Sequence, residues 1–203
     1  MISLTQKAHD IAAEFFSKNP PRCAVDATLG NGRDAFFALN VLRAEKVFGF
    51  DVQADALARS RRLADSCAYA SRSEFFLGGH ERMKEFIPEE FFGKIDCFFF
   101  NLGWLPSSDK KVVTRSDTTV AALSAAAEIA DASRCLFSAL CYRGHAGGAE
   151  EFASVLEFFE KNFAGCHETF GDASNAASPV LLAAKFLNCH CPSKVQKLSN
   201  NNH

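Results

Sequence analysis

At 203 residues, 48% of them hydrophobic, the chain can bury a full core and is expected to form one domain. A net charge of −2 excludes a global attraction to nucleic acid, so an RNA partner must be held by a local patch. No apolar run nears the roughly 18 residues of a membrane span. The eight cysteines include no C-x-x-C pair and no secretory leader is legible, which suits a reducing cytoplasm.

The elements follow in order. Leu4 to Phe16 has helical apolar spacing, ends at Pro20-Pro21, and is expected to cover a sheet edge. Cys23 to Val25 reads as a buried strand running into Asp26-Ala-Thr-Leu-Gly-Asn-Gly-Arg-Asp34, and Ala35 to Leu42 resumes a helix. A strand, a glycine turn and a helix start point backbone N–H groups and a helix dipole at a ligand. Lys46 to Phe50 is the second strand, with Asp51 at its end, about 20 residues beyond the glycine turn, where a carboxylate can accept ribose hydroxyls. Ala54 to Ala64 is a helix, Glu74 to Leu77 a strand, Glu81 to Phe86 helix-like, and Ile95 to Phe100 a buried strand. A helix from Ser116 to Ala130, a strand from Ser133 to Tyr142 and a helix from Gly148 to Phe163 follow. His167 to Phe170 and Pro179 to Phe186 close the pattern as strands. The alternation predicts a doubly wound α/β sheet, mostly parallel, with a late antiparallel strand. The domain is expected over residues 1–187, with a polar tail over 188–203.

Many of the 21 Phe cluster, as Phe36-Phe37, Phe75-Phe76, Phe91-Phe92, Phe98-Phe99-Phe100 and Phe158-Phe159, inside apolar segments, so core filling explains them before any nucleic-acid platform does. The tail holds Cys189-His190-Cys191, spaced too tightly for a standard zinc site, and no metal is expected.

Two motifs carry chemistry. Gly30-x-Gly32-x-x-Ala35 with Asp51 fits the loose dinucleotide fingerprint and so leaves a nicotinamide-dependent oxidoreductase open. Asp26 beside the turn repels phosphate and suits the sulfonium and amino group of S-adenosylmethionine, although capping of the turn amides also accounts for it. The second motif, Asn101-Leu-Gly-Trp-Leu-Pro106, follows the buried strand. It offers the Asn101 amide, the Leu102 carbonyl and the flat Trp104 ring, a set that can accept hydrogen bonds from an amino group and stack on the ring bearing it.

Six ordered segments carry a family resemblance: Asp26 to Asp34, Gly49-Phe-Asp-Val-Gln53, Gly79-His-Glu81, Phe100 to Pro106 with Asp109-Lys110, Thr114 with Thr118-Thr119, and Tyr142-Arg-Gly-His145 with Gly148 and Glu151. Together they resemble the small class I methyltransferases long labelled rRNA methylases (YtqB-like), whose members include tRNA 5-(aminomethyl)-2-thiouridine methyltransferases. The chain departs from that pattern at Gly79 (usually Ser), Trp104 (usually Tyr), Ser107-Ser108 (usually Gly-rich) and Arg143 (usually Pro). The resemblance implies S-adenosylmethionine as cofactor, with Asp26, Thr28, Gly30, Asn31 and Gly32 at its methionine end, Asp51 and Gln53 on the ribose and adenine side, and His80-Glu81 flanking the adenine. It implies a tRNA wobble uridine as substrate, with an rRNA or a small amine as the nearest rival and a non-catalytic RNA-binding module beyond it. Asn101 and the Leu102 carbonyl would position the amine, Asp109 or His145 would take its proton, and Tyr142, Lys110, Arg115 and Arg143 would meet the RNA. A homodimer is left open.

Overall fold

Seven strands form one sheet in the order β3-β2-β1-β4-β5-β7-β6 in the computed structural model, which describes residues 2–103, 114–172, 174–175 and 177–187. The strands are β1 (Cys23–Asp26), β2 (Lys46–Asp51), β3 (Ser73–Leu77), β4 (Ile95–Leu102), β5 (Arg134–Cys141), β6 (His167–Phe170) and β7 (Val180–Leu187). β1 to β5 run parallel, and β7 is antiparallel to both neighbours, so it is the one reversed strand. The fold is the doubly wound α/β sheet that the alternation of elements predicts. Boundaries differ from the sequence reading by one or two residues at most ends, as fraying ends usually do.

Among the described residues, six α-helices cover the two faces: α1 (Leu4–Phe15), α2 (Arg33–Asn40), α3 (Ala54–Ser66), α4 (Met83–Phe86), α5 (Ser116–Ile129) and α6 (Gly148–Asn162). Strand periodicity divides the phenylalanines between two cores. Phe48, Phe50, Phe98, Phe100 and Phe137 point to the face of α4, α5 and α6, where Phe98 and Phe137 stack at 4.7 Å. Phe99, with Val47 and Leu136, points to the face of α1, α2 and α3. The Phe-rich strands are core, and their runs are apolar throughout because both faces are covered.

α1 corrects one expectation. It does not cover a sheet edge; Ala8, Ile11, Ala12 and Phe16 pack with Leu136, Leu140, Leu181 and Ala183 of β5 and β7, inside the sheet. Ser3 caps its start, its side chain accepting the Gln6 N–H at 3.1 Å. That placement carries the buried face of α1, including His9, toward the carboxyl end of β4, where Phe99 meets the His9 ring edge-on at 6.2 Å.

Candidate active site

The carboxyl ends of β1, β2 and β4 open into a cavity of about 680 Å³. This is the crevice where ligands bind in open α/β sheets, beside the point at which strand order reverses. The glycine turn between β1 and α2 forms its floor, and each turn group has a partner. Asp26 is buried; its Oδ1 accepts the Thr28 N–H at 3.3 Å and its Oδ2 the Ala35 N–H at 3.0 Å. The carboxylate therefore caps turn and helix amides as well as facing the cavity. Burial first, and then the neighbouring Asp34, hold its carboxyl well above the usual range against the pull of those two amides. Gly32 sits at φ +75°, and a Cβ there would come within 2.6 Å of the Phe36 ring, so only glycine turns the chain into α2 at this point.

Asp51 closes the turn from β2. Its Oδ2 accepts the Gly30 N–H at 2.7 Å and its Oδ1 the Gln53 N–H at 2.8 Å. Gly30, Asn31, Thr28, Gln53 and Glu81 line the cavity with it, while Gly32 lies behind the lining. His80 also lines it, buried, with Nδ1 3.2 Å from the Ala27 carbonyl and its ring set edge-on to Phe100. Burial pushes the His80 pKa down, so the ring is neutral and its Nδ1–H donates to Ala27.

The Asn101 end differs from expectation. β4 continues through Leu102, so Asn101 belongs to the strand, paired with Leu140, and not to the loop after it. Its N–H donates to Thr28 Oγ1 at 2.7 Å and its Nδ2 donates to Asp34 Oδ2. Leu102 is fully buried and its carbonyl accepts the Tyr142 N–H at 2.8 Å, which spends one of its two lone pairs on the chain. Gly103 follows at φ +145°, where a Cβ would sit 3.0 Å from Tyr142 Cβ and 3.6 Å from His145 Nε2.

The remaining residues separate. Tyr142 and Arg115 line the cavity rim, both exposed. Arg115 forks onto Asp117, with Nη2 to Oδ2 at 3.0 Å. Arg143 is buried; its Nε donates to the Ser178 carbonyl at 2.8 Å and its Nη2 to those of Asp172 at 2.7 Å and Asn175 at 2.5 Å. It fastens the segment before β7, where the sequence suggested a phosphate contact. His145 Nδ1 meets the Ala146 carbonyl at 3.0 Å, and the residue is not part of the cavity lining. Trp104, Asp109 and Lys110 lie outside the described residues.

Sequence reasoning passed over three residues that the fold brings here. Asp34 is buried in the first turn of α2 and bridges His9 and Asn101. Arg33 is exposed at the rim, and Thr5 reaches the cavity from α1. Asp34 and Arg33 stand inside the glycine-turn motif, which was the one available signal. The part played by α1 is a tertiary fact with no local signature.

The family described as "Putative rRNA methylase" matches residues 47–182. The chain belongs to this family. An Arabidopsis thaliana protein, tRNA (mnm(5)s(2)U34)-methyltransferase, chloroplastic, is 33% identical over 163 residues, 76% of this chain. The chain spans 58% of that relative's length. A solved structure from Clostridium thermocellum with the same description as the family is 28% identical, with a TM-score of 0.77 over 92% of this chain and 99% of that one. A Streptococcus mutans methyltransferase solved in complex with SAH is 26% identical, with a TM-score of 0.75 over 92% and 99%. An rRNA methylase from Streptococcus thermophilus is 27% identical, with a TM-score of 0.69 over 92% and 98%.

The donor set of the cavity fits S-adenosylmethionine. Asp51 sits at the end of β2 with carboxylate lone pairs beyond the two spent on amides, suited to a ribose diol. Asp26 and Asp34 put acidic groups, not phosphate-binding cations, beside the turn, which suits a cationic sulfonium. Asp51 would serve a dinucleotide ribose equally; the acidic pair beside the turn is what counts against the nicotinamide reading of the glycine fingerprint.

Proposed function

We propose that the chain transfers a methyl group from S-adenosylmethionine to an amine carried on RNA, specifically the aminomethyl nitrogen of 5-aminomethyl-2-thiouridine at the tRNA wobble position. One observation carries the reading: a carboxylate oxygen only accepts, so Asp34 takes the Nδ2 arm of Asn101 and leaves Oδ1 as the arm for a ligand in the cavity. A hydrogen-bond acceptor held at the end of the central strand suits a substrate that brings N–H groups. The Arabidopsis relative's wobble-uridine activity and the exposed Arg33 and Arg115 at the rim support an RNA-borne amine.

When bound, S-adenosylmethionine supplies an electrophilic methyl group on a sulfonium centre. The chain does the rest by binding and orientation. Thr28, Gly30 and Asn31 would hold the methionine end, Asp51 would accept the ribose hydroxyls, and Gln53, His80 and Glu81 would border the adenine. Asn101 Oδ1 accepts an N–H of the amine, so that its lone pair faces the methyl group. Such alignment alone supplies a large share of a displacement barrier.

The family description and the Streptococcus thermophilus structure favour a second reading, an amine on rRNA. Incubation with S-adenosylmethionine and either tRNA carrying 5-aminomethyl-2-thiouridine or ribosomal RNA, followed by nucleoside mass spectrometry, separates them. A mass gain of one methyl on the tRNA nucleoside is expected. Methylation confined to rRNA would replace the first reading with the second.

A further inference from the structure

His9 is a buried polar residue on α1 that lies behind the cavity lining. Its Nε2 lies 2.6 Å from Asp34 Oδ1, and its ring lies flat on Phe37, with centroids 3.8 Å apart and planes 2° apart. Phe99 lies beside the stacked pair, edge-on and 6.2 Å from each ring. The stack fixes the ring plane, and a carboxylate only accepts, so Nε2–H is the donor aimed at Asp34. Asp34 is 4% exposed, and its other oxygen receives the Asn101 amide. Three side chains from α1, α2 and β4 thus form one line, His9 to Asp34 to Asn101, that ends on the cavity wall.

An amide has two arms that differ only in O and N, and sterics alone do not choose between them. A fixed carboxylate does choose, because it repels Oδ1 and accepts Nδ2. We propose that His9 and Asp34 are a positioning pair for methyl transfer, His9 anchoring Asp34 and Asp34 turning the Asn101 amide so that Oδ1 faces the acceptor amine. The pair rests on the amine-acceptor reading above and adds His9 to it as the anchor of Asp34. In this pair Asp34 acts through Asn101, one oxygen facing His9 and the other accepting the Asn101 amide.

The test uses the full chain with S-adenosylmethionine and tRNA carrying 5-aminomethyl-2-thiouridine. His9→Phe keeps an aromatic ring to stack on Phe37 and deletes the donor; His9→Gln restores a donor. The expected result for His9→Phe is a kcat about tenfold or more below the parent, with KM for tRNA and calorimetric cofactor affinity unchanged, since misplacement of a positioned group is felt in turnover. His9→Gln should recover most of the loss. The double variant His9→Phe/Asn101→Ala should be no slower than Asn101→Ala alone, because residues acting as one unit are not additive. Asp34→Asn should show the same split of kcat from KM, and it decides the matter if His9→Phe does not fold. Parental kcat in His9→Phe, a loss that tracks cofactor affinity, or an additive double variant each overturns the pair. A parent chain that methylates no amine on that tRNA overturns the amine reading itself, and the pair with it.

Discussion

Asp51 accepts the Gly30 N–H at 2.7 Å, so the carboxylate assigned to the cofactor ribose also fixes the glycine turn from the neighbouring strand. Removing it should therefore act twice. Asp51→Ala is expected to weaken S-adenosylmethionine binding roughly tenfold or more, through lost charge-assisted hydrogen bonds and a loosened Gly30 amide. Calorimetry reads the affinity directly, and an unchanged value would remove Asp51 from the site.

The arrangement around Asp51 shows what a sequence can and cannot disclose. Strand, glycine turn, helix and a terminal acid are local patterns, and they were legible because each residue's role follows from its position in one element. The core role of the phenylalanines was legible too; the structure adds that Phe98, Phe99 and Phe100 alternate between two cores by the geometry of a strand. What was hidden are contacts between distant segments. Nothing near His9 announces Asp34, which lies 25 residues away, and nothing near Arg143 announces the carbonyls 29 to 35 residues on that hold it. The sequence also stopped β4 at Phe100, because a polar Asn looks like a strand end. Its N–H in fact finds Thr28 and its side chain finds Asp34, and those partners let the strand run on.

His80 gives a pH prediction. Burial lowers its pKa from the ordinary 6.5, so the folded chain holds it neutral while the unfolded chain protonates it. Stability from this group is fully present above about pH 6.5 and is lost as pH falls toward the depressed folded value. Asp26 has the opposite sign. Burial and Asp34 raise its pKa, so its contribution is present at low pH and lost as pH rises through the raised value. The difference between parent and His80→Gln isolates the histidine: the variant should lose less stability than the parent between pH 7 and 5. Parallel denaturation midpoints across that range would mean that His80 does not titrate differently on unfolding.

Arg33 and Arg115 are exposed on the cavity rim, and Arg115 is partly neutralised by Asp117. Arg33→Ala and Arg115→Ala should each weaken tRNA binding and flatten its salt dependence by about one unit of slope, leaving cofactor affinity alone. Asp117→Asn should act in the opposite direction by freeing Arg115. Filter binding over a salt series tests all three, and a slope identical to the parent's would reduce the arginines to ordinary surface charge.

Glu151 is buried beneath the rim, where its Oε1 accepts the Thr119 hydroxyl at 2.6 Å and its Oε2 the Thr114 hydroxyl at 2.8 Å. Thr114 Oγ1 in turn accepts the Gly103 N–H at 2.8 Å. Glu151→Ala leaves two hydroxyls without their acceptor and a void in place of the side chain, a cost of roughly 3 kcal/mol. Melting should fall by about 6–12 °C for a chain of this size. A melting temperature within about 2 °C of the parent would show that water replaces the carboxylate at no cost.

Asn101→Ala separates positioning from packing. The backbone of residue 101 keeps its place in β4, since the pairing with Leu140 and the N–H bond to Thr28 Oγ1 do not involve the deleted amide. The fold should survive, with a modest stability loss because Asp34 loses one of its two donors while His9 remains. Cofactor affinity should stay near the parent's, because Asp51 and the glycine turn are untouched. The amine, by contrast, loses the acceptor that aligns it, and methyl transfer should fall by at least about a hundredfold. The defect belongs in kcat, with KM for tRNA little changed, because the Asn101 contact counts most when the lone pair meets the methyl group. Methyl transfer to tRNA carrying 5-aminomethyl-2-thiouridine, measured beside circular dichroism and cofactor calorimetry, resolves the three quantities. A folded, cofactor-binding Asn101→Ala chain with near-parental turnover would leave the amide as a strand-end hydrogen bond to Asp34 and nothing more.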